Sequence, residues 1–102
     1  MKDDSFVQYV REQLSLISDI HIKRMFGGYG LYSGEKFFSI VYKGRLYFKI
    51  NENTMQKYVD AGMKPFSPTP RQTLKNYYEV PVDVIEDSSE LCDWAEDSIR
   101  NT

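Results

Sequence analysis

Apolar positions in this chain recur first at helical spacing, then in alternation, then at helical spacing again. Phe6, Val10, Leu14 and Ile17 form one stripe of an amphipathic helix, with Arg11 and Glu12 off it. Ser5-x-x-Gln8 fits a capping box, and Asp3 and Asp4 suit the positive end of the helix dipole. This helix is expected to end near residues 16–18. The spacing then shortens to that of strands. Residues 20–26 open a sheet, Ser33-Gly34-Glu35-Lys36 turns into a strand over 37–42, and Lys43-Gly44 closes a tight hairpin into 45–50.

Beyond the hairpin, Asn51-Glu52-Asn53-Thr54 offers N-cap chemistry for a short helix through Met55, Tyr58 and Val59, which Gly62 ends in a left-handed conformation. Pro65, Pro68 and Pro70 make the next segment irregular, able to pair at a sheet edge at most. Residues 73–80 read as another strand. Asp87-x-x-Glu90 caps a last helix whose Leu91, Trp94, Ala95 and Ile99 face inward. With no repeat, low-complexity tract or linker in 102 residues, the whole of 1–102 is expected to be a single domain. Hairpins require antiparallel pairing, and amphipathic helices must cover the apolar side of the sheet. The fold expected is therefore α+β, a two-layer sandwich with an antiparallel sheet of about five strands and helices packed on one face.

The Lys43-Gly44 hairpin fixes which residues share a side. A two-residue loop sets Tyr42 opposite Arg45, Val41 opposite Leu46, Ile40 opposite Tyr47 and Ser39 opposite Phe48, and opposed residues lie on the same face. One face then carries Phe37, Ser39, Val41, Leu46, Phe48 and Ile50, a set that belongs against helices. The other carries Phe38, Ile40, Tyr42, Arg45, Tyr47 and Lys49. Each large apolar group left in water forfeits roughly 1.5–3 kcal/mol, and aromatic patches rimmed by polar groups mark contact surfaces. Phe38, Tyr42, Arg45, Tyr47 and Lys49 are accordingly the candidate partner-binding residues, for self-association as a homodimer or for another protein.

Three glycines in four positions, Gly27, Gly28 and Gly30, stand between aromatics that favour strands. Glycine persists in such surroundings where the backbone needs positive φ, a bulge or close approach of another group. Met25-Phe26-Gly27-Gly28, Gly30-Leu31-Tyr32 and the later Leu46-Tyr47-Phe48-Lys49 resemble the TfoX N-terminal domain family, over roughly the whole chain. That resemblance implies a two-layer α/β fold. It also implies a role akin to bacterial regulators that switch on competence genes for DNA uptake alongside a DNA-binding activator. The chain is similar to the stand-alone N-terminal-domain type. In family terms Gly27, Gly28 and Gly30 form the glycine turn, Met25 and Phe26 its apolar lead-in, and Tyr47 and Lys49 a Tyr-x-Lys strand. At least one of the glycines is expected at positive φ.

Composition narrows the function classes. The lone Cys92 excludes an internal disulfide and leaves no cysteine cluster for zinc, and its helical setting points to a packing thiol. No apolar run approaches a membrane span and no signal-peptide core is present, so the expected location is cytoplasmic. His21, the only histidine, has no nucleophile or carboxylate cluster beside it, so no catalytic residue, metal or cofactor is expected. The glycine run lacks the Lys-Ser/Thr ending of a phosphate loop and leads into a strand.

Net charge is -2, but it is unevenly laid out. Lys23, Arg24, Lys36, Lys43, Arg45 and Lys49 face only Glu35 in their stretch, whereas Asp83, Glu86, Asp87, Glu90, Asp93, Glu96 and Asp97 follow with no base among them. These two stretches are expected to meet within the fold or across a dimer. Lys49 is expected to reach solvent or an acid such as Glu79. The acidic segment and the absence of a recognition helix argue against direct DNA binding. The leading expectation is a non-enzymatic regulatory or adaptor domain acting through protein contacts. The alternative is a single-stranded nucleic-acid module using the basic, aromatic sheet face.

Overall fold

The computed structural model describes residues 2–25, 27–100 and 102. Helix α1 (Lys2–Gln13) leads into four strands, β1 (Ile20–Met25), β2 (Gly28–Ser33), β3 (Lys36–Tyr42) and β4 (Arg45–Lys49). A short helix α2 (Met55–Asp60), strands β5 (Pro65–Thr69) and β6 (Gln72–Glu79), then helices α3 (Val82–Glu86) and α4 (Ser88–Arg100) complete the chain. The strands form a six-stranded sheet in the order β1-β2-β3-β4-β6-β5, with every neighbour antiparallel. The fold is α+β, as expected, with one strand more than the pattern indicated. The proline-rich segment does pair, at the edge, where a missing N–H costs the ladder least.

Local chemistry explains most boundaries. Lys43 and Gly44 both take positive φ, 51° and 76°, the primed turn that suits the twist of a two-residue hairpin. Gly62, at φ 78°, ends α2: its N–H donates to the Val59 carbonyl and the Met63 N–H to that of Tyr58, the paired bonds of a Schellman ending. Asn51 Oδ1 accepts the N–H groups of Asn53 and Thr54 ahead of α2, and Asp87 Oδ1 accepts the Glu90 N–H at the start of α4. Three details differ from the pattern. Helix α1 begins at Lys2, so Ser5 lies inside its first turns rather than at the cap, and it ends at Gln13, ahead of the expected 16–18. Helix α3 went unforeseen because five residues show no apolar period.

The main core lies between sheet and helices. Val7, Val10, Tyr58, Val84, Ile85, Leu91 and Ala95 from the helices pack on Tyr29, Leu31, Phe38, Val41, Leu46 and Phe48 from the sheet. Every helix contributes to this one side. The α1 end is tied down by polar bonds: Ser88 Oγ and Cys92 Sγ both donate to the Gln13 carbonyl, while Gln13 Nε2 donates to that of Ile85. Cys92 is buried there as a packing thiol.

Strand β3 carries a bulge that overturns one assignment. Leu31 faces Ser39 but Tyr32 faces Phe37, so Phe38 is an extra residue on β3. An extra residue reverses the alternation of everything before it. The register predicted from the Lys43-Gly44 turn holds from Ser39 to Phe48, but Phe37 and Phe38 exchange sides. Phe38 is fully buried against the helices, with its ring 5.7 Å from Phe48. It is therefore shielded from any partner, contrary to its expected place on the contact face.

Candidate protein-contact surface

Alternation along each strand defines the helix-free side of the sheet. From edge to centre it receives His21, Lys23 and Met25 of β1, Tyr32 of β2, and Phe37, Ile40 and Tyr42 of β3. Beyond them come Arg45, Tyr47 and Lys49 of β4, then Tyr77 and Glu79 of β6. Tyr42, Arg45, Tyr47 and Lys49 thus share one side as expected, and Phe37 takes the place assigned to Phe38.

The centre of this side is a second, smaller core. Ile40, Tyr47, Phe66 and Tyr77 are buried, and Phe37, Tyr42 and Leu74 pack around them half-buried. Phe66 belongs to β5, two strands out from β4, and an unbent sheet would put it about 10 Å away. Its ring lies 4.7 Å from Tyr47 and 5.4 Å from Tyr42, so the β5–β6 hairpin curls over the helix-free side. Irregular register in that hairpin, next to Pro65 and Pro68, permits the bend. The face expected to be open to a partner is in part covered by the chain's own Phe66.

The glycines serve this side in three different ways. Gly27 takes φ 77° in the β1–β2 turn, the positive φ expected of the motif. Gly28 is extended, but a β-carbon there would stand 2.3 Å from the Val41 carbonyl oxygen. A β-carbon on Gly30 would stand 2.6 Å from Met25 Cε and 2.9 Å from Phe37 Cε1. The bare backbone at Gly30 lets Met25 and Phe37 close over it. Phe26 lies outside the described residues.

Charge surrounds the rings. A single guanidinium nitrogen of Arg45 donates to both carboxylate oxygens of Glu79, at 3.0 and 3.1 Å. Glu79 is thereby taken by Arg45 and not by Lys49, which sits half-buried opposite Tyr77 with no carboxylate partner among the described residues. Lys23 lies 5.1 Å above the Tyr32 ring and Lys43 5.4 Å from that of Tyr42. Burial, then the Glu79 carboxylate, holds the Tyr47 phenol above its ordinary pKa, and burial followed by Tyr32 does so for Tyr77. Both phenols are protonated and neutral at neutral pH.

The acids lie elsewhere. Asp83, Glu86, Glu90, Asp93 and Glu96 are exposed on α3 and α4, across the sheet. Among the described residues no ion pair joins them to the cations between Lys23 and Lys49; the acid–base pairs of Lys and Arg are Arg24–Asp4, Arg45–Glu79, Lys57–Asp97 and Arg100–Asp97. These pairs do not join the basic stretch to the acidic one, so their expected meeting within the fold is not seen among them.

One contact escaped the sequence reading. His21 Nε2 lies 2.8 Å from Asp19 Oδ1, a carboxylate two positions back that the chain presents by taking φ 60° at Asp19. The pair is exposed, and no hydroxyl or thiol hydrogen-bonds the ring among the described residues, so it lacks a nucleophile to activate. No group of three His, Cys, Asp or Glu placed to hold a metal occurs among the described residues. None of the described helices is long and apolar enough to cross a membrane.

The sequence of residues 12–102 matches the TfoX N-terminal domain, and the chain belongs to that family. No curated protein matches the chain in sequence.

Proposed function

We propose that this domain is a non-enzymatic adaptor that works through protein contacts, with the helix-free side of its sheet as the contact surface. The observation that carries the reading is segregation. Lys23, Lys43, Arg45 and Lys49 stand among the half-buried rings of Tyr32, Phe37 and Tyr42, while the Glu79 carboxylate on that side is already paired with Arg45. Rings held in a rigid sheet lose little entropy on contact, and cations around them favour a partner with an acidic patch. The family's link to competence control makes a transcription regulator, in the cytoplasm, the first class of partner; a second copy of the chain is the other.

A photo-crosslinking residue placed at Tyr42 and, separately, at Glu90 tests the reading in cells. Adducts at Tyr42 that disappear with Lys49→Glu support it, whereas adducts confined to Glu90 overturn it. Light scattering on the purified chain separates self-association from a foreign partner.

A second reading has its own support: partly exposed tyrosines beside lysines are the groups on which single-stranded bases stack. Fluorescence anisotropy with single- and double-stranded oligonucleotides at low and moderate salt decides it. Salt-sensitive binding of the single strand favours nucleic acid, and no binding at low salt removes it.

A further inference from the structure

We propose that the outer edge of β1 binds an acidic peptide in extended form, as an added strand of the sheet. This surface shares Lys23 with the helix-free face argued above but rests on the backbone of the strand edge, so it stands or falls apart from that face.

The two sheet edges are built differently. Strand β5 carries Pro65 and Pro68 and pairs irregularly, which blunts it as a template. Strand β1 carries no proline, and its six residues pair with β2 in unbroken register from Ile20↔Ser33 to Met25↔Gly28. Its hydrogen-bonding parity is fixed by one bond: the Asp19 carbonyl accepts the Gly34 N–H at 2.9 Å. Bonded and non-bonded positions alternate along an antiparallel pair. His21, Lys23 and Met25 therefore turn their N–H and C=O groups to β2, and Ile20, Ile22 and Arg24 turn theirs outward.

The edge has room beside it and charge on both sides. A cleft of about 610 Å³, lined by Arg11, Ile20, His21, Ile22 and Lys23 among others, runs along the strand. Of the acids nearby, Asp4 pairs with Arg24 and Asp19 with His21. No carboxylate pairs with Arg11 or Lys23 among the described residues, and Glu35 lines the cleft from the β2–β3 turn. Lys23 stands on the helix-free side of the edge and Arg11 on the helix side.

That charge selects the occupant. A second copy paired antiparallel about Ile22 would set Lys23 opposite the other copy's imidazole at position 21, twice over, and so would bring it no carboxylate. Carboxylates at alternate positions of an incoming strand would meet Lys23 instead, while its apolar side chains lay beside Ile20 and Ile22. Main-chain bonds supply the affinity and the cations choose the sequence.

The test uses a short capped peptide of alternating valine and glutamate, with its valine–lysine counterpart as control, titrated into the ¹⁵N-labelled chain. The expected result is binding of the glutamate peptide alone, with exchange protection gained at the Ile20, Ile22 and Arg24 amides. Ile22→Pro removes an outward N–H that β2 does not use, and should weaken binding about tenfold or more with the β1–β2 ladder intact. Lys23→Glu, which keeps every backbone group, should weaken it likewise and admit the lysine peptide. Equal binding of both peptides, no binding, or undiminished affinity in Lys23→Glu overturns the proposal. Loss of binding in Tyr42→Ser instead would put the peptide on the helix-free face and overturn the edge assignment alone.

Discussion

The hydroxyl of Ser98, on the last helix, donates to the backbone carbonyl of Phe38 at 3.2 Å. Phe38 is the bulged residue of β3 and has no partner in β2, so a helix side chain completes what the ladder leaves open. Both groups are buried, and a buried carbonyl without a donor costs about 1–3 kcal/mol. Ser98→Ala should lower stability by about that much in urea denaturation, with Ser98→Thr losing less if the added methyl fits.

Gly28 and Gly27 should respond to alanine for different reasons. At Gly28 the new β-carbon collides with the Val41 carbonyl, which is backbone and cannot step aside without opening the β2–β3 ladder. Overpacking of that kind costs about 1–3 kcal/mol or more. At Gly27 no atom lies within 4 Å, and only the positive φ resists, at about 1–2 kcal/mol. Gly27→Asn should recover most of the loss and Gly28→Asn none, as thermal melts of the four variants would show.

Alkaline pH should unfold the domain through its phenols. Burial first, then the Asp97 carboxylate, pushes Tyr58 well above its ordinary pKa, and Tyr47 and Tyr77 are raised as well. The unfolded chain loses these protons near pH 10 while the folded chain keeps them, so the unfolded state holds fewer protons above that point. Their contribution is complete below about pH 10 and is lost as pH rises through the folded values, at up to about 1.4 kcal/mol per pH unit for each phenol. Denaturation between about pH 9 and 11.5 should show this decline, and Tyr58→Phe should make it shallower by one proton.

The Arg45–Glu79 pair should matter little to stability. Arg45 is 62% exposed, and pairs of that kind contribute about 0.2–1 kcal/mol. Arg45→Ala should leave the melting curve nearly unchanged while reversing charge on the proposed contact face with Arg45→Glu abolishes crosslinking from Tyr42. A large stability loss in Arg45→Ala would show that the residue is part of the scaffold.

The buried Phe38 makes the opposite case. It belongs to the helix-side core, and Phe38→Ala should cost about 3–5 kcal/mol. Tyr42→Ala, at the half-buried rim, should cost clearly less in the same urea titration.

The elements that alternation and helical period control were legible in the sequence. The Lys43-Gly44 register, the Gly62 ending and the Asp87 cap each rest on a few adjacent residues whose chemistry has one good solution. The bulge at Phe38 was not, because Phe37 and Phe38 are interchangeable in any local pattern. What distinguishes them is Ser98, sixty positions away, waiting for a carbonyl. The burial of Tyr47 and Ile40 was hidden for a similar reason: Phe66 covers them only because a proline-broken strand bends. Glu79 faces Tyr47, two positions from both Arg45 and Lys49, and its carboxylate is taken by Arg45, a choice that register alone does not make. Asp19 was overlooked beside His21 since only a left-handed residue turns its carboxylate toward the ring.

Lys23, Lys43, Arg45 and Lys49 on the helix-free side and Asp83, Glu86, Glu90, Asp93 and Glu96 on the helices separate charge across a molecule of small net charge. Such a body feels torque rather than simple attraction as it nears a charged object. At physiological salt the field fades over about 8 Å, so the turning happens in the last moments before touch. Charge separated in this way would thus bring the same face forward in each encounter, and the molecule would arrive already aimed.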